Sequence, residues 1–411
     1  MKYLLSISFV FISYFLFSQD PNISNLHTFR TYINPGYVGF VDNLNVSIGH
    51  RRQWLYVPRV LETSIMSANY HLGTRENGLG FGLIALNNRE GEGYMTTNAV
   101  SGIVAKNLSG IIKKFDLQRS SRTKKSRIKI KDSNIKFEMS GALQFGILQN
   151  SVDWTELTFS DQLDARYGNV RVTAATPQVE STLAIPDVGG GIMVRFKARE
   201  SSGVVYNKNS PLYGAIEGNY TTLGVSCQHL NQPEQSFLGG SAKLPTRWNL
   251  HGNINLQNES KKNQQKQQSN NRNAERAIYA TMYSLNFLYQ TQGELTTLLV
   301  GPSIATFGFI SISAWWRGSF GEYRNSDAIV LSTYSSIKLS RERNLIIGAS
   351  YDFTIGPLNY SRTFGTFEFS LKMNFRKGDK SNCINTDEEW FRGRNKKEQL
   401  KFMREHSQNM L

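Results

Sequence analysis

The sequence predicts an all-β fold, a transmembrane antiparallel β-barrel of about fourteen strands, with twelve as the alternative. Apolar and mixed residues alternate with a period of two along runs of about ten residues, and glycine, asparagine or charged turns close these runs. The runs are too polar for a helical span, which needs roughly twenty apolar residues. Aromatic residues form 12% of the chain and suit the interfacial girdles of a barrel, although they would also suit a soluble β-sandwich.

The stretch 44–106 has the clearest pattern, because it reads as four strands in a row. In the third strand, Leu79, Phe81 and Leu83 form an apolar face, whereas the opposite face is small or mixed. Repeating this unit downstream gives an even number of strands, as in single-chain bacterial barrels. The candidate strands are 44–50, 60–70, 78–87, 96–107, 138–148, 190–197, 220–229, 247–256, 278–289, 295–304, 307–318, 328–338, 345–353 and 366–375.

The chain divides into three predicted regions. Residues 1–18 have the layout of a secretory signal peptide, with Lys2 ahead of an apolar run that ends before Ser18. This leader and the strand pattern predict a multi-pass barrel in a Gram-negative outer membrane. Residues 19–375 are expected to form the barrel, and residues 376–411 a polar periplasmic tail. Residues 386–389 suit a capping box that opens a short tail helix; a docking helix and a partly ordered tail both fit this pattern.

The net charge of +15 is distributed unevenly. Residues 113–136 contain ten Lys or Arg and two Asp, so this basic insertion carries a net +8. Such a stretch raises nucleic acid as a partner. For an exported protein, however, the expected partners are outer-membrane lipid or an acidic protein and no nucleic acid, with a solvated loop as the alternative. Residues 257–276 have the low-complexity composition of a disordered loop.

No catalytic constellation is recognisable in the sequence, which predicts a protein that is not an enzyme and has no cofactor or metal. The six His residues occur singly, without Cys or carboxylates at metal-ligand spacing. The sequence has neither a Gly-Xaa-Ser-Xaa-Gly elbow nor a phosphate-binding glycine loop. Glu90 and Glu92 could be paired carboxylates, but the glycines beside them favour a solvated turn at the barrel rim.

Polar and aromatic clusters lie at the predicted outer ends of the strands, at 51–54, 228–233, 315–318 and 350–353. The even strand number places both chain ends on the periplasmic side. One interpretation of the clusters is an aromatic girdle with interior charge pairs that brace the barrel, such as Arg317 with Asp352. The other is a polar mouth that receives a partner segment. The candidate partner-binding residues are Arg52, Gln53, Trp54, Glu90, Glu92, His229, Trp316, Arg317 and Asp352.

Ten short motifs occur in order along the chain: QDP at 19–21, YINPGYVG at 32–39, RQW at 52–54, GLGFG at 78–82, EGEG at 90–93, DQL at 161–163, PDVGGG at 186–191, QHLNQP at 228–233, WR at 316–317 and YD at 351–352. Together they resemble the PorP/SprF family of type IX secretion system outer-membrane proteins of the Bacteroidetes. That family usually has Ser-His-Glu near the start of its last strand, and Thr366-Phe367-Glu368 matches it in part. The basic insertion, the loop 257–276 and the tail go beyond the family pattern.

The resemblance implies an accessory barrel that binds secreted cargo or helps to export it and attach it to the cell surface, notably gliding adhesins with a type B C-terminal signal domain. It also implies the type IX translocon and its periplasmic components as partners, but it transfers no established binding residues. One alternative is a passive channel or hydrophobic-solute transporter, and another is a structural barrel that anchors adhesins. A channel predicts an open lumen, whereas a secretion accessory predicts a filled lumen and a stable complex with other proteins.

Overall fold

The structure, a computed structural model, describes residues 19–375 except for 42–43, 58–60, 75–76, 113–134, 175–181, 183, 199–218, 238–240, 260–279, 307–309, 322–323 and 341–342. The predicted signal peptide, the predicted tail and most of the basic insertion and of the loop 257–276 therefore lie outside the described residues.

Fourteen antiparallel strands close into a barrel, as the sequence predicts. Each barrel strand pairs with the next one along the chain, and β1 closes the barrel against β16 from Leu44–Phe375 to Gln53–Thr366. Two further short strands, β6 and β7, pair with each other between β5 and β8. The strands are β1 Leu44–Gln53, β2 Glu62–Thr74, β3 Asn77–Glu90, β4 Met95–Ile112, β5 Ile135–Ser151, β6 Leu163–Asp164, β7 Gly168–Asn169, β8 Ile185–Ala198, β9 Tyr220–Gln228, β10 Arg247–Glu259, β11 Ala280–Gln292, β12 Leu295–Thr306, β13 Ile310–Phe320, β14 Asn325–Lys338, β15 Arg343–Thr354 and β16 Thr366–Phe375.

The barrel wall is apolar outside and mostly polar inside. In β1, for example, Ile48 is 55% exposed, whereas its inward-facing neighbour Ser47 is 1% exposed. In β3, Leu79, Phe81 and Leu83 lie on the exposed face, which confirms the apolar face predicted for this strand. This distribution is the reverse of that in a water-soluble protein, and it suits a barrel whose outer surface contacts hydrocarbon. Among the described residues, no helix combines the length and the apolar run that a membrane-crossing helix requires.

The strand ends form two rims. The near rim is the end where β1 begins and β16 finishes, and the far rim is the end with the connections 54–61, 91–94, 152–184, 229–246, 293–294, 321–324 and 355–365. All four polar clusters predicted at one end of the barrel lie at the far rim. The far-rim connections include the 3₁₀ helices Trp154–Glu156 and Ser160–Gln162 and a one-turn α-helix, Tyr360–Thr363.

Residues 19–41 cross the lumen from the far rim to the near rim before β1 begins, and we call this segment the plug. It contains a one-turn α-helix, Arg30–Ile33, and a 3₁₀ helix, Pro35–Phe40. At its start, the backbone N–H of Asp20 donates to Gln292 at the far-rim end of β11. The expectation that both chain ends lie on the side where β1 begins is therefore wrong for the start of the described chain, because the plug traverses the barrel first.

Local sequence explains the bend between the two plug helices. The Oδ1 atom of Asn34 accepts a hydrogen bond of 2.8 Å from the Gly36 backbone N–H and so caps the 3₁₀ helix. Pro35 follows as the first helical residue, where its missing N–H is not needed. Because Asn34 itself has an extended backbone, the chain changes direction at this residue.

The plug supplies much of the apolar core. Ile23, Phe29 and Val38 pack in one buried cluster with inward side chains of β2 to β5. Leu26 and Ile33 pack in a second buried cluster with inward side chains of β11 to β14. Opposite faces of the plug thus contact opposite walls of the barrel. Full burial of a large apolar side chain contributes about 1.5–3 kcal/mol, so these five side chains favour a filled lumen.

Candidate partner interface: the lumen plug and the far rim

A charged anchor holds the start of the plug at the far rim. The Asp20 carboxylate lies 2.8 Å from Nε2 of His229 and 3.0 Å from the Arg247 guanidinium. On the other side of the imidazole, Nδ1 of His229 lies 2.9 Å from Asp187 of β8. Arg247 also donates to the Tyr32 hydroxyl at 2.7 Å and lies over the Tyr32 ring. We call this group the Asp20 anchor.

The mutual contacts of the Asp20 anchor set its protonation. Burial disfavours the charged form of Asp20, but Arg247 and His229 together outweigh this effect and hold the pKa of Asp20 well below its ordinary value. Burial likewise opposes the charged form of His229, and the Asp20 and Asp187 carboxylates outweigh it, so the pKa of His229 rises to about 9. At neutral pH Asp20 is therefore a carboxylate and His229 an imidazolium, and the two stabilise each other's charge.

A second charged group, the Ser24 cluster, lies slightly deeper in the lumen. The Ser24 hydroxyl donates to Asp352 at 2.7 Å, and Arg51 donates to Ser24 and to Asp352 at 2.7 and 3.1 Å. Arg317 completes the pairing with Asp352 at 2.8 Å, so the predicted Arg317–Asp352 brace is present. The side chains of Arg51, Arg317 and Asp352 are all buried.

Glu368 ties the plug backbone to this cluster. Its two carboxylate oxygens accept the backbone N–H groups of Ser24 and Asn25 at 2.8 and 3.1 Å. Arg51 lies 3.2 Å from the same carboxylate. Glu368 thus pairs with a wall arginine and holds the plug backbone at the same time, which gives a physical reason for a carboxylate at that position.

Neutral hydrogen bonds hold the middle of the plug. The Ile33 carbonyl accepts from Ser226 at 2.6 Å and from Asn249 at 3.0 Å. The Asn34 amide nitrogen lies 2.9 Å from Nε2 of His251 and 3.1 Å from the Ile192 carbonyl, to which it donates. Inward polar side chains of β9 and β10 and a backbone carbonyl of β8 therefore satisfy the polar groups of an irregular segment, which would otherwise be buried without partners.

Inward glycines give the plug the space that it needs. A Cβ atom added at Gly82 would lie 2.8 Å from Cγ2 of Val38, and one added at Gly49 would overlap the Phe29 ring. Gly82 belongs to the GLGFG motif, so close approach of the plug explains why this strand has a glycine on its inner face. The YINPGYVG motif is the plug segment that these inner walls receive.

The nine predicted partner-binding residues fall into two groups. Among the first, His229, Arg317 and Asp352 are buried and hold the plug in place. Glu90, half-buried, accepts from Asn88 and lines a cavity beside Asp20. The remaining five lie at the outer surface or edge of the far rim. They are Arg52 and Glu92, which are exposed, and Gln53, Trp54 and Trp316, which are half-buried.

Several residues that hold the plug in place were not among the predicted partner-binding residues. Arg51, Arg247 and Glu368 were absent from the candidate set, as were the plug residues Asp20 and Asn34. The available signal was the position of Asp20 and Asn34 within two of the family motifs, together with charged residues at inward-facing strand positions. In the described part of the chain, no group of three or more His, Cys, Asp or Glu side chains is arranged to hold a metal ion.

The fold and the lumen contacts define a plugged outer-membrane β-barrel. The family model described as "Type IX secretion system membrane protein PorP/SprF" matches residues 16–373. The chain belongs to this family. Both the family and the fold are those of a secretion-system membrane barrel, which is not a known class of enzyme.

More distant similarities concern other barrels. The structure of a FadL homologue from Pseudomonas aeruginosa shows 10% identity over 83% of this chain and 92% of that chain, with a TM-score of 0.32. The toluene transporter TbuX of Ralstonia pickettii shows 9% identity over 84% and 92%, with a TM-score of 0.36. For CdiB of Acinetobacter baumannii the identity is 9% and the TM-score 0.38, and the match covers 81% of this chain and 60% of that chain. Similarities this low indicate nothing about function, and no curated protein matches the sequence significantly.

Proposed function

We propose that this protein is an accessory outer-membrane component of the type IX secretion system that binds secreted cargo or helps to export it and attach it to the cell surface. The proposed cargo includes gliding adhesins with a type B C-terminal signal domain. In this proposal residues 1–18 are a cleaved signal peptide, and residues 376–411 are a periplasmic tail that contacts translocon components. The observation that carries the proposal is that a plug fixed by two buried charged groups occupies the lumen of a PorP/SprF barrel.

The filled lumen supports this function over the passive channel. A channel needs a continuous aqueous path, whereas apolar contacts join the plug to walls on opposite sides of the barrel and Asp20 pairs with Arg247 of the wall. A hydrophobic-solute transporter needs an apolar binding pocket. The cavity beside the Asp20 anchor instead combines apolar side chains with the acidic and basic side chains of Asp20, Glu90, Asp187, His229 and Arg247.

The far rim is the proposed surface for protein partners. Arg52 and Glu92 place opposite charges on exposed parts of this rim. Tyr56 is 63% exposed, and its ring stacks on Phe364 with 4.3 Å between ring centroids. Exposed aromatic side chains flanked by charge are typical of protein-binding surfaces and membrane-interface girdles. Periplasmic components are expected at the near rim, and lipid around the wall.

The test is affinity purification of the tagged full chain from native outer membranes, followed by mass spectrometry. Recovery of translocon subunits or of an adhesin with a type B signal domain is the expected result, and the double variant R52A/E92A should lose the partners of the far rim. The matched control R343A removes an exposed arginine at the near-rim start of β15 and should keep the far-rim partners. A barrel that purifies alone and conducts ions in planar bilayers would overturn the proposal in favour of a channel.

A further inference from the structure

Three basic side chains lie together on the near-rim side of the Ser24 cluster. The Thr28 and Ser370 hydroxyls are 3.1 Å apart and join the plug to β16. Arg30 lies two residues further along the plug, and Lys372 occupies the next inward position of β16. Inward positions of one strand are about 6.7 Å apart, so Arg30 and Lys372 both lie just beyond this contact. His27, in turn, lies with Nδ1 3.0 Å from the Arg30 guanidinium.

The positive charges of Arg30 and Lys372 have no carboxylate partner among the described residues. Arg51, Arg247 and Arg317, which also contact the plug, each have a carboxylate oxygen within 3.2 Å. Arg30 instead contacts the neutral His27 ring and the face of Tyr37. A charge inside a protein is ordinarily paired, because removing it from water without a partner is costly. The contrast with the three paired arginines marks Arg30 as a cation without its counter-ion.

His27 contacts the Arg30 guanidinium through a ring nitrogen that carries no proton. A guanidinium can only donate, so Nδ1 of His27 accepts from Arg30 and the proton of the neutral ring lies on Nε2. One of its ring nitrogens faces Arg30, and the other, Nε2, has no hydrogen-bond partner in the described part of the protein.

A cavity adjoins this group and holds a second unpartnered donor. It is bordered by His27, Arg30 and Tyr37 of the plug and by Trp315 and Asn253 of the wall. Trp315 is 3% exposed, yet its Nε1 has no acceptor within the described residues. An indole N–H can only donate, so a bound group that satisfies Trp315 must present an acceptor. An oxyanion presents several and also supplies the negative charge that Arg30 lacks.

We propose that this cavity is a binding site for a small oxyanion of the phosphate or sulfate type. Arg30 supplies the charged donor, Trp315 and the His27 Nε2–H tautomer supply neutral donors, and Lys372 raises the local positive potential. Because Arg30 and His27 belong to the plug while Trp315 and Lys372 belong to the wall, a bound anion joins the two. Anion binding therefore fixes the near-rim part of the plug in the lumen, whichever partner occupies the far rim.

Inorganic phosphate is the first probe, titrated into the purified full chain at constant ionic strength with chloride as the background anion. Saturable binding is expected, and R30Q should weaken it by roughly 10- to 100-fold, the range for loss of a charged hydrogen bond. The control R166Q removes an exposed arginine outside the site and should bind as the wild type does. Absence of saturable binding, or equal affinity in R30Q and R166Q, would overturn the site.

Hydrogen exchange keeps the test informative if R30Q folds poorly. In the wild type, phosphate should slow amide exchange of residues 26–34 relative to chloride at equal ionic strength, and unchanged exchange would refute the coupling to the plug. If sulfate in solution slows the same amide exchange as phosphate does, the ligand is a free oxyanion. Protection only by vesicles that contain a phosphate-headgroup lipid would identify a lipid as the source of the anion.

Discussion

The two halves of the plug are held in different ways. The half at the far rim, residues 19–28, is fixed by carboxylates and guanidinium groups in the Asp20 anchor and the Ser24 cluster. The half towards the near rim, residues 29–41, is fixed by neutral hydrogen bonds, apolar burial and close approach to inward glycines, apart from Tyr32, which contacts Arg247 of the Asp20 anchor. Charge pairing depends on ionisation, whereas shape complementarity does not. The two halves should therefore respond differently to pH and to single substitutions.

The largest expected effect follows from removing Asp352. D352A removes the buried carboxylate that Arg51 and Arg317 share, and leaves Arg51 with Glu368 and Arg317 with the more exposed Asp327. Breaking one partner of a buried ion pair costs about 3–5 kcal/mol, so the free energy of unfolding, measured by urea titration in detergent, should fall by up to that amount. D164A is the matched control, because Asp164 pairs with Arg171 in an exposed loop. That variant should lose less than about 1 kcal/mol, and equal losses in the two variants would contradict the assignment of the Ser24 cluster.

High pH should loosen the far-rim half selectively. The pKa of His229 is about 9 in the folded protein and 6.5 when unperturbed. A raised pKa contributes stability that is complete below the unfolded value and is lost as the pH rises through the folded value. Stability should thus decline between about pH 6.5 and pH 9.5 by roughly 3 kcal/mol, and H229Q should flatten this part of the profile.

Low pH tests the other member of the same pair. The depressed pKa of Asp20 contributes stability above its unfolded value of 3.8, and this contribution is lost as the pH falls further. The pH profile is read from amide exchange of residues 20–28 compared with residues 32–40. If the exchange rates of the two segments changed with pH in the same way, charge would not distinguish the two halves of the plug.

A smaller effect is expected from filling the space beside Val38. G82V should cost about 1–3 kcal/mol through overpacking, because its Cβ would press on the Val38 side chain. The second-site change V38A should recover part of that loss, giving a coupling energy of roughly 0.5–3 kcal/mol in a double-mutant cycle. The control G102V lies on the exposed face of β4, where the nearest atom to an added Cβ is 4.0 Å away, and should be nearly neutral. Additive effects of G82V and V38A would exclude the close approach.

The barrel was predictable from the sequence because its signal is local and periodic. Lipid outside and polar groups inside impose alternation on every strand, so candidates as short as 190–197 and 295–304 correspond to β8 and β12. The pair Arg317–Asp352 was also predictable from the sequence, because both residues lie near the ends of their strands at the same rim. A period-two pattern does not reveal which inward-facing side chains of the barrel contact the plug, because the plug itself has no periodic pattern.

The plug was not predictable for that reason. It has two short helical turns and no repeating pattern, and its contacts are remote in sequence. The Ser24 backbone, for instance, bonds to Glu368 across 344 positions. The motifs of residues 19–21 and 32–39 marked the family but carried no local signal of where the segment lies. Only the closed barrel brings Arg51, Asp352 and Glu368 around one serine.

The smallest effect on stability is expected at the outer surface of the far rim. Arg52 lies 3.5 Å from Glu62, and their side chains are 51% and 37% exposed. An exposed pair of this kind contributes about 0–1 kcal/mol, so R52A should leave the urea midpoint and the exchange of both plug halves almost unchanged. Any loss of translocon or adhesin recovery from this variant must then arise from contact with the partner rather than from the plug. D352A should show the converse, a destabilised plug with Arg52 still exposed at the rim. If R52A instead lost stability as D352A does, the division between an outer contact surface and an inner set of plug anchors would fail.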